Sequence, residues 1–133
     1  MKFTLETARG IQIHGYQPGE LTLRLPAKEA GQASQLVSYH SSLIIANEPG
    51  PLDWAVRHIN ELASHHFEFV WQNRPEIVLF GSGQRMAFPP QAIREEFALK
   101  GIGFEAMDTR AACRTYNVLL AEGRDVTALL IID

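Results

Sequence analysis

The chain has 133 residues, a common size for one domain and enough to bury a core without staples. It is 46% hydrophobic and 20% charged, with 12 Lys+Arg against 15 Asp+Glu and a net charge of −3. That balance excludes a disordered chain and a sequence-independent nucleic-acid binder, which needs a basic surface. The one cysteine, Cys113, excludes an intrachain disulfide and a multi-cysteine metal cage, and suits a reducing compartment.

Residues 1–10 carry one lysine and no apolar run behind it, so no secretory signal is expected. The longest apolar stretches, such as 128–132, are too short to span a bilayer. The expected location is the cytoplasm, with any membrane connection made through a partner.

A hairpin comes first. Ile11, Ile13 and Gly15 alternate with polar positions, as do Leu21, Leu23 and Leu25. Such alternation puts apolar side chains on one face of a strand. Pro18-Gly19 between the two runs predicts a type II turn. A short strand over 36–39 and a stronger one over 43–45 follow, and Pro49-Gly50-Pro51 is a break. Residues 54–72 have helical composition with mixed patterning. Helix is expected most firmly over 64–72, with Ser64 as N-cap.

The second half is sharper. The apolar run within 76–80 reads as a strand covered on both faces. Pro89-Pro90 opens a helix to about Leu99, with Ile93, Phe97 and Ala92 turned inward and Gly101 beyond its end. A strand over 102–106 precedes a helix that Asp108 caps, burying Ala112, Tyr116, Leu119 and Leu120, and Gly123 stops it. Residues 126–132 form the last strand. The order predicts one α/β domain over 1–133: three layers, a central mixed sheet with helices packed on it, and an N-terminal β-hairpin. The crossover from Phe80 to Ile102 makes its two strands parallel.

Each chemical motif has a plain structural alternative. Gly81-Ser82-Gly83 follows a buried strand, where open α/β sheets bind ligands, and Arg85 adds charge for an anion. The dinucleotide fingerprint fails at Met86, and a tight strand-exit turn is the better account of the glycines. Ser82 lacks the nucleophile elbow, and all five histidines lie at or before residue 66. Cys113 sits early on its helix with Arg110 and Arg114 as neighbours, so it is either an activated thiol or small core filler. His58, His65 and His66 lack zinc spacing and read as a solvated surface. No metal and no cofactor is expected. Glu95-Glu96 reads as a solvated face; Trp54 and Trp71 read as core, or as anchors for a partner.

Several segments carry a resemblance: Pro75 through Gly83, Gly101 through Thr109, Ala112 through Leu120, and Glu122 through Val126. They resemble a small α/β family that includes mitochondrial respiratory complex I assembly factor 3 and an adipogenesis-associated vertebrate relative. The resemblance implies a three-layer fold around a mixed sheet, and a role as assembly chaperone in the mitochondrial relative. It carries no agreed catalytic set, and it fits a bacterial cytoplasmic member. The expected function is therefore a non-enzymatic interaction or assembly-factor-like role. The partner would be a protein, a membrane-complex subunit or another assembly factor, with neither nucleic acid nor direct membrane insertion. The candidate surface joins Gly81, Ser82, Gly83 and Arg85 to Asp108, Cys113, Arg114 and Asn117. The alternative is a small-molecule (anion) binding domain or enzyme using the same crevice.

Overall fold

The computed structural model describes residues 10–133. The expectation for the first residues falls outside that range. In chain order the elements are β1 (Gln12–Gln17), β2 (Glu20–Leu25), β3 (Gln35–Tyr39), β4 (Leu43–Ile45) and β5 (Pro51–Asp53). Two 3-10 turns (Ile59–Glu61 and Ser64–Phe67) lead into α1 (Glu68–Asn73). Then come β6 (Ile77–Gly81), α2 (Gln91–Lys100), β7 (Gly103–Met107), α3 (Thr109–Ala121) and β8 (Val126–Leu130).

The expected hairpin is present, with Gln17 paired to Glu20 across Pro18-Gly19 and Gly19 at φ 79°. β3 adds to its far side, giving an antiparallel sheet β1-β2-β3. The second sheet is mixed, in the order β5-β4-β8-β6-β7. Its members β7, β6 and β8 run parallel, while β4 is antiparallel to both β8 and β5. This mixed sheet is the middle layer.

Its inner strands β4, β6 and β8 are covered on both faces and run almost wholly apolar at consecutive positions. Leu43, Ile45, Leu79, Ala128 and Leu130 point into one core. There they meet Ile13, Leu21 and Leu23 of the hairpin, and Ala112, Cys113, Tyr116 and Leu120 of α3. Ile44, Val78, Phe80 and Leu129 point into the other, against Val70 of α1 and Ile93 and Phe97 of α2. Trp54 belongs to that second core. Its ring meets Phe67 and Phe80 edge-on at 5.9 and 6.2 Å, and its Nε1–H donates to the His66 carbonyl at 2.8 Å. Trp71 is half-buried, with its centroid 4.6 Å from that of Phe97.

α3 forms as its sequence prescribes. The Asp108 side chain accepts from the Ala111 N–H at 2.8 Å, satisfying a donor that the first turn leaves free. α2 closes at Gly101, whose φ of 70° suits glycine, and Ile102 N–H returns to the Phe97 carbonyl. α3 is also tied to the hairpin by polar contacts. Asn117 accepts from Ile13 N–H at 2.9 Å and donates to Ile13 O at 2.7 Å, so its amide stands in for a neighbouring strand. Tyr116 donates to Ile11 O at 3.0 Å.

Three local expectations are corrected. Ser64 is not an N-cap: it opens a 3-10 turn, and its hydroxyl donates to Glu96 at 2.8 Å. The α-helix there is only Glu68–Asn73. Ala92 is exposed rather than inward.

The Ser64–Phe67 turn carries a pH dependence. Ala63 N–H donates to His66 Nδ1 at 3.0 Å, which requires an unprotonated nitrogen. The His65 and His66 rings lie 4.1 Å apart. Burial, with His65 adding to it, holds the His66 pKa below its ordinary 6.5. The unfolded chain therefore binds this proton first as pH falls. Stability is complete above about pH 6.5 and declines below it. Glu61 and Glu76 are held below their ordinary 4.5, by the Arg57 and His58 amides and by Arg124, so their contribution is lost only at lower pH. Urea titrations at pH 7.5 and 5.5 should show the loss, and His66→Gln should remove part of it.

Candidate functional site

The three parallel strands end on one edge, with Gly81 in register with Met107 on one side and Leu130 on the other. β6 leads to α2 in one layer and β7 to α3 in the opposite layer. Divergent connections of this kind open a ligand crevice between strand ends in many α/β sheets.

Here the space between those strand ends is filled. Ser82 N–H donates to Met107 O, and Thr109 N–H to Gly83 O, both at 2.9 Å. The buried Thr109 hydroxyl accepts from Gly83 N–H and donates to Ile131 O, both at 2.8 Å. One side chain thus joins the ends of all three strands. Gly81 allows the approach: a Cβ there would lie 2.9 Å from Leu130 Cδ2 and 3.0 Å from Thr109 Cα. Gly83 adopts φ 101°, and Gln84 N–H reaches Asp133 Oδ1 at 3.2 Å. The amides of residues 82–84 therefore donate to protein oxygens. The buried Ser82 hydroxyl is likewise engaged, donating to Arg85 O at 2.5 Å and accepting from Ala87 N–H at 3.0 Å.

The sequence-predicted residues consequently divide between the two sides of the closed edge. On the α3 side, a hollow of about 190 Å³ is lined by Tyr16, Pro18, Gly83, Gln84, Asp108 and Arg110. A groove of about 240 Å³ adjoins it through Tyr16 and Arg110, bringing together His14, Cys113, Arg114 and Asn117. Cys113 is 6% exposed, and burial pushes its thiol up to about 12 against the pull of Arg110 and Arg114. At neutral pH it is a protonated core side chain. Asn117 is spent on Ile13, whereas Arg114 is exposed. The Tyr16 hydroxyl is enclosed and has no hydrogen-bond partner among the described residues. Burial raises its pKa, with nearby Asp133 next in effect. The guanidinium of Arg110 stands 5.2 Å from the Tyr16 ring centroid.

Arg85 lies on the other side, in a groove of about 510 Å³ with His58, Ile59, Met86, Ala87 and Asp133. A larger hollow of about 790 Å³ continues from it through His58 and Asp133 to Trp54, Ser42 and Arg57. His58 is thus a groove residue, set apart from the adjacent, mutually tilted rings of His65 and His66.

Sequence reasoning passed over Arg110 as a surface residue, Thr109, and the exposed pair Met86 and Phe88. Arg110 had a signal, its i,i+4 spacing to Arg114 on one helix face. Met86 and Phe88 had a weaker one, two large apolar residues in a segment with neither strand nor helix period.

The family described as protein of unknown function DUF498/DUF598 matches residues 13–131. The chain belongs to that family. Among curated relatives of this DUF498/DUF598 protein is human NADH dehydrogenase [ubiquinone] 1 alpha subcomplex assembly factor 3. It is 31% identical over 122 residues, covering 82% of this chain and 66% of the relative. A Francisella tularensis protein named 13 kDa major membrane protein is 33% identical over 73 residues, 55% of this chain and 59% of the relative. The chain thus spans less than two thirds of the length of either. The fold matches a crystal structure of a Bordetella parapertussis protein at TM-score 0.76 and 27% identity, covering 95% and 99% of the two chains. It also matches a Bartonella henselae structure titled an outer membrane protein, at TM-score 0.71 and 28% identity, covering 92% and 95%. Among the described residues, no helix is long and apolar enough to cross a membrane.

The Thr109 junction is directly testable. Thr109→Val leaves Gly83 N–H and Ile131 O buried without their partner and should cost roughly 2–3 kcal/mol. Thr109→Ser keeps the hydroxyl and should cost under about 1 kcal/mol. Urea midpoints at unchanged m-value measure both.

Proposed function

We propose that this protein is a non-enzymatic interaction protein that assists the assembly of a membrane complex through contact with a protein partner. That partner is a complex subunit or a second assembly factor. The observation that carries the reading is the similarity to human assembly factor 3, which runs along 82% of the chain. The names of the Francisella and Bartonella relatives favour a membrane setting as well. Among the described residues no helix is long and apolar enough to span a bilayer. The candidate contacts lie around the C-terminal edge of the parallel strands: Arg85 on one side, and Asp108, Arg114 and the α3 groove on the other.

A second reading has one specific observation in its favour. The unpartnered Tyr16 hydroxyl next to Arg110, with Arg114 a turn further along, supplies a donor and two cations for a small anionic ligand. Such groups suit a carboxylate or phosphate.

The test is mild crosslinking of the tagged protein at native expression, followed by capture and mass spectrometry. Arg114→Ala serves as the comparison; Asn117 is left intact because it holds β1. Reproducible capture of subunits or assembly factors of one membrane complex, reduced in the variant, is the expected outcome. Capture at background by the wild-type protein overturns the stable-partner reading, and metabolite binding at Arg110 and Arg114 then becomes the assay.

A further inference from the structure

The connection from β6 to α2 is held rigid while its outer side is bare. Ser82 fixes the first half by bonding Arg85 O and Ala87 N–H, and Pro89 is buried at the far end. Between these pins Met86 and Phe88 are 48% and 61% exposed. The Arg94 guanidinium lies 5.3 Å from the Phe88 centroid, and its Nε donates to Pro89 O at 3.3 Å. Neither Arg85 nor Arg94 has a carboxylate partner among the described residues. The nearby acids are engaged elsewhere: Glu95 with Gln91, Glu96 with Ser64, and Asp133 with Gln84 N–H.

A large exposed aromatic already fixed in place loses little entropy when covered, which is how interface anchors work. Unpaired guanidinium groups beside it complement carboxylates on an incoming surface. The 510 Å³ groove next to Met86, floored by Ile59 and Ala87, has room for an apolar side chain. We propose that the 84–90 loop docks a segment of a partner protein. That segment places a large apolar side chain against Met86 and Phe88 and carboxylates against Arg85 and Arg94. This rests on the interaction reading above and names its contact surface. An anionic bilayer offers similar chemistry, but two cations on a chain of net charge −3 attract it weakly, and a bilayer makes no use of the groove.

Short random peptides displayed on phage, panned on the full chain and counter-selected on the Phe88→Ser/Arg85→Glu double variant, test the proposal. Both side chains are exposed, so circular dichroism and melting temperature should match wild type. Selected peptides should share a large apolar residue flanked by Asp or Glu. Synthetic versions should bind about tenfold more weakly to either single variant by fluorescence anisotropy. Salt should weaken wild-type binding more than that of Arg85→Glu. The proposal is overturned by no enrichment, by a consensus without acids, or by affinity that both variants retain. Phe88-dependent binding to phosphatidylglycerol vesicles, or Phe88-dependent self-association in sedimentation, overturns it in favour of those occupants. Repeating the crosslinking capture with Phe88→Ser separates the two readings. Unchanged capture removes this loop and leaves the assembly role standing, whereas background capture by wild type removes that role itself.

Discussion

The hydroxyl of Thr109 is the joint on which the C-terminal edge of the parallel strands depends. A threonine oxygen accepts and donates at once, so one side chain satisfies the Gly83 amide and the Ile131 carbonyl. Those groups lie just beyond the ends of β6 and β8, the two strands next in order from β7. Without the hydroxyl, both would be buried polar groups lacking a partner, an expensive arrangement in a dry interior. The same joint dictates the residue at position 81. Thr109 sits so close that only a side chain without Cβ fits opposite it. The glycine of the Gly81-Ser82-Gly83 turn is therefore explained by packing, and Gly83 by its positive φ.

From that joint α3 extends as the element that holds the first layer to the middle one. Its buried face carries Ala112, Cys113, Tyr116 and Leu120. Its polar contacts reach Ile11 and Ile13 at the β1 side of the three-stranded sheet, whose apolar face packs on the same core. Asn117 gives β1 two backbone-like hydrogen bonds on a side where no strand among the described residues pairs with it, close to the register irregularity between Ile13 and Gly15. An edge strand is a hazard when its amides and carbonyls stay open, and part of this edge is closed from within the fold. The sequence-based expectation placed Asn117 among ligand or partner contacts because its segment follows one of two neighbouring strands. Its amide was already needed for β1.

Elements with strong local signals were legible. The Pro18-Gly19 turn, the Asp108 cap, the Gly101 stop and the apolar runs of β6 and β8 each follow from a residue's own geometry or from period. What was not legible lacked such signals. β5 is three residues long and begins with proline directly after a break, so no period exists to read. Residues 54–67 pack by aromatic contact rather than by a repeating face: Trp54 enters the second core from irregular backbone and Phe67 from a 3-10 turn. The divergence of β6 and β7 toward opposite layers could be anticipated from the order of elements. The sealing of their crevice could not, because it depends on a threonine hydroxyl reaching three strand ends that are distant in sequence.

Closing the crevice changes where chemistry can occur on this fold. In an open α/β sheet, the amides after the first parallel strand face a ligand. Here Ser82, Gly83 and Gln84 turn theirs to Met107, Thr109 and Asp133. The polar capacity of the turn is used to make it rigid, and the residues beyond inherit that rigidity. Ser82 passes it on, since its buried hydroxyl holds the next bend from inside. Met86 and Phe88 flank the far end of that bend and stand 48% and 61% exposed. On the opposite side the rigid edge sets Asp108, Arg110 and the enclosed Tyr16 hydroxyl around a hollow of about 190 Å³. That hollow is small and polar, whereas the outer loop offers exposed apolar area and two guanidinium groups. The asymmetry between the two sides is the physical reason to favour a macromolecular contact on the β6–α2 loop over small-molecule chemistry at the strand ends.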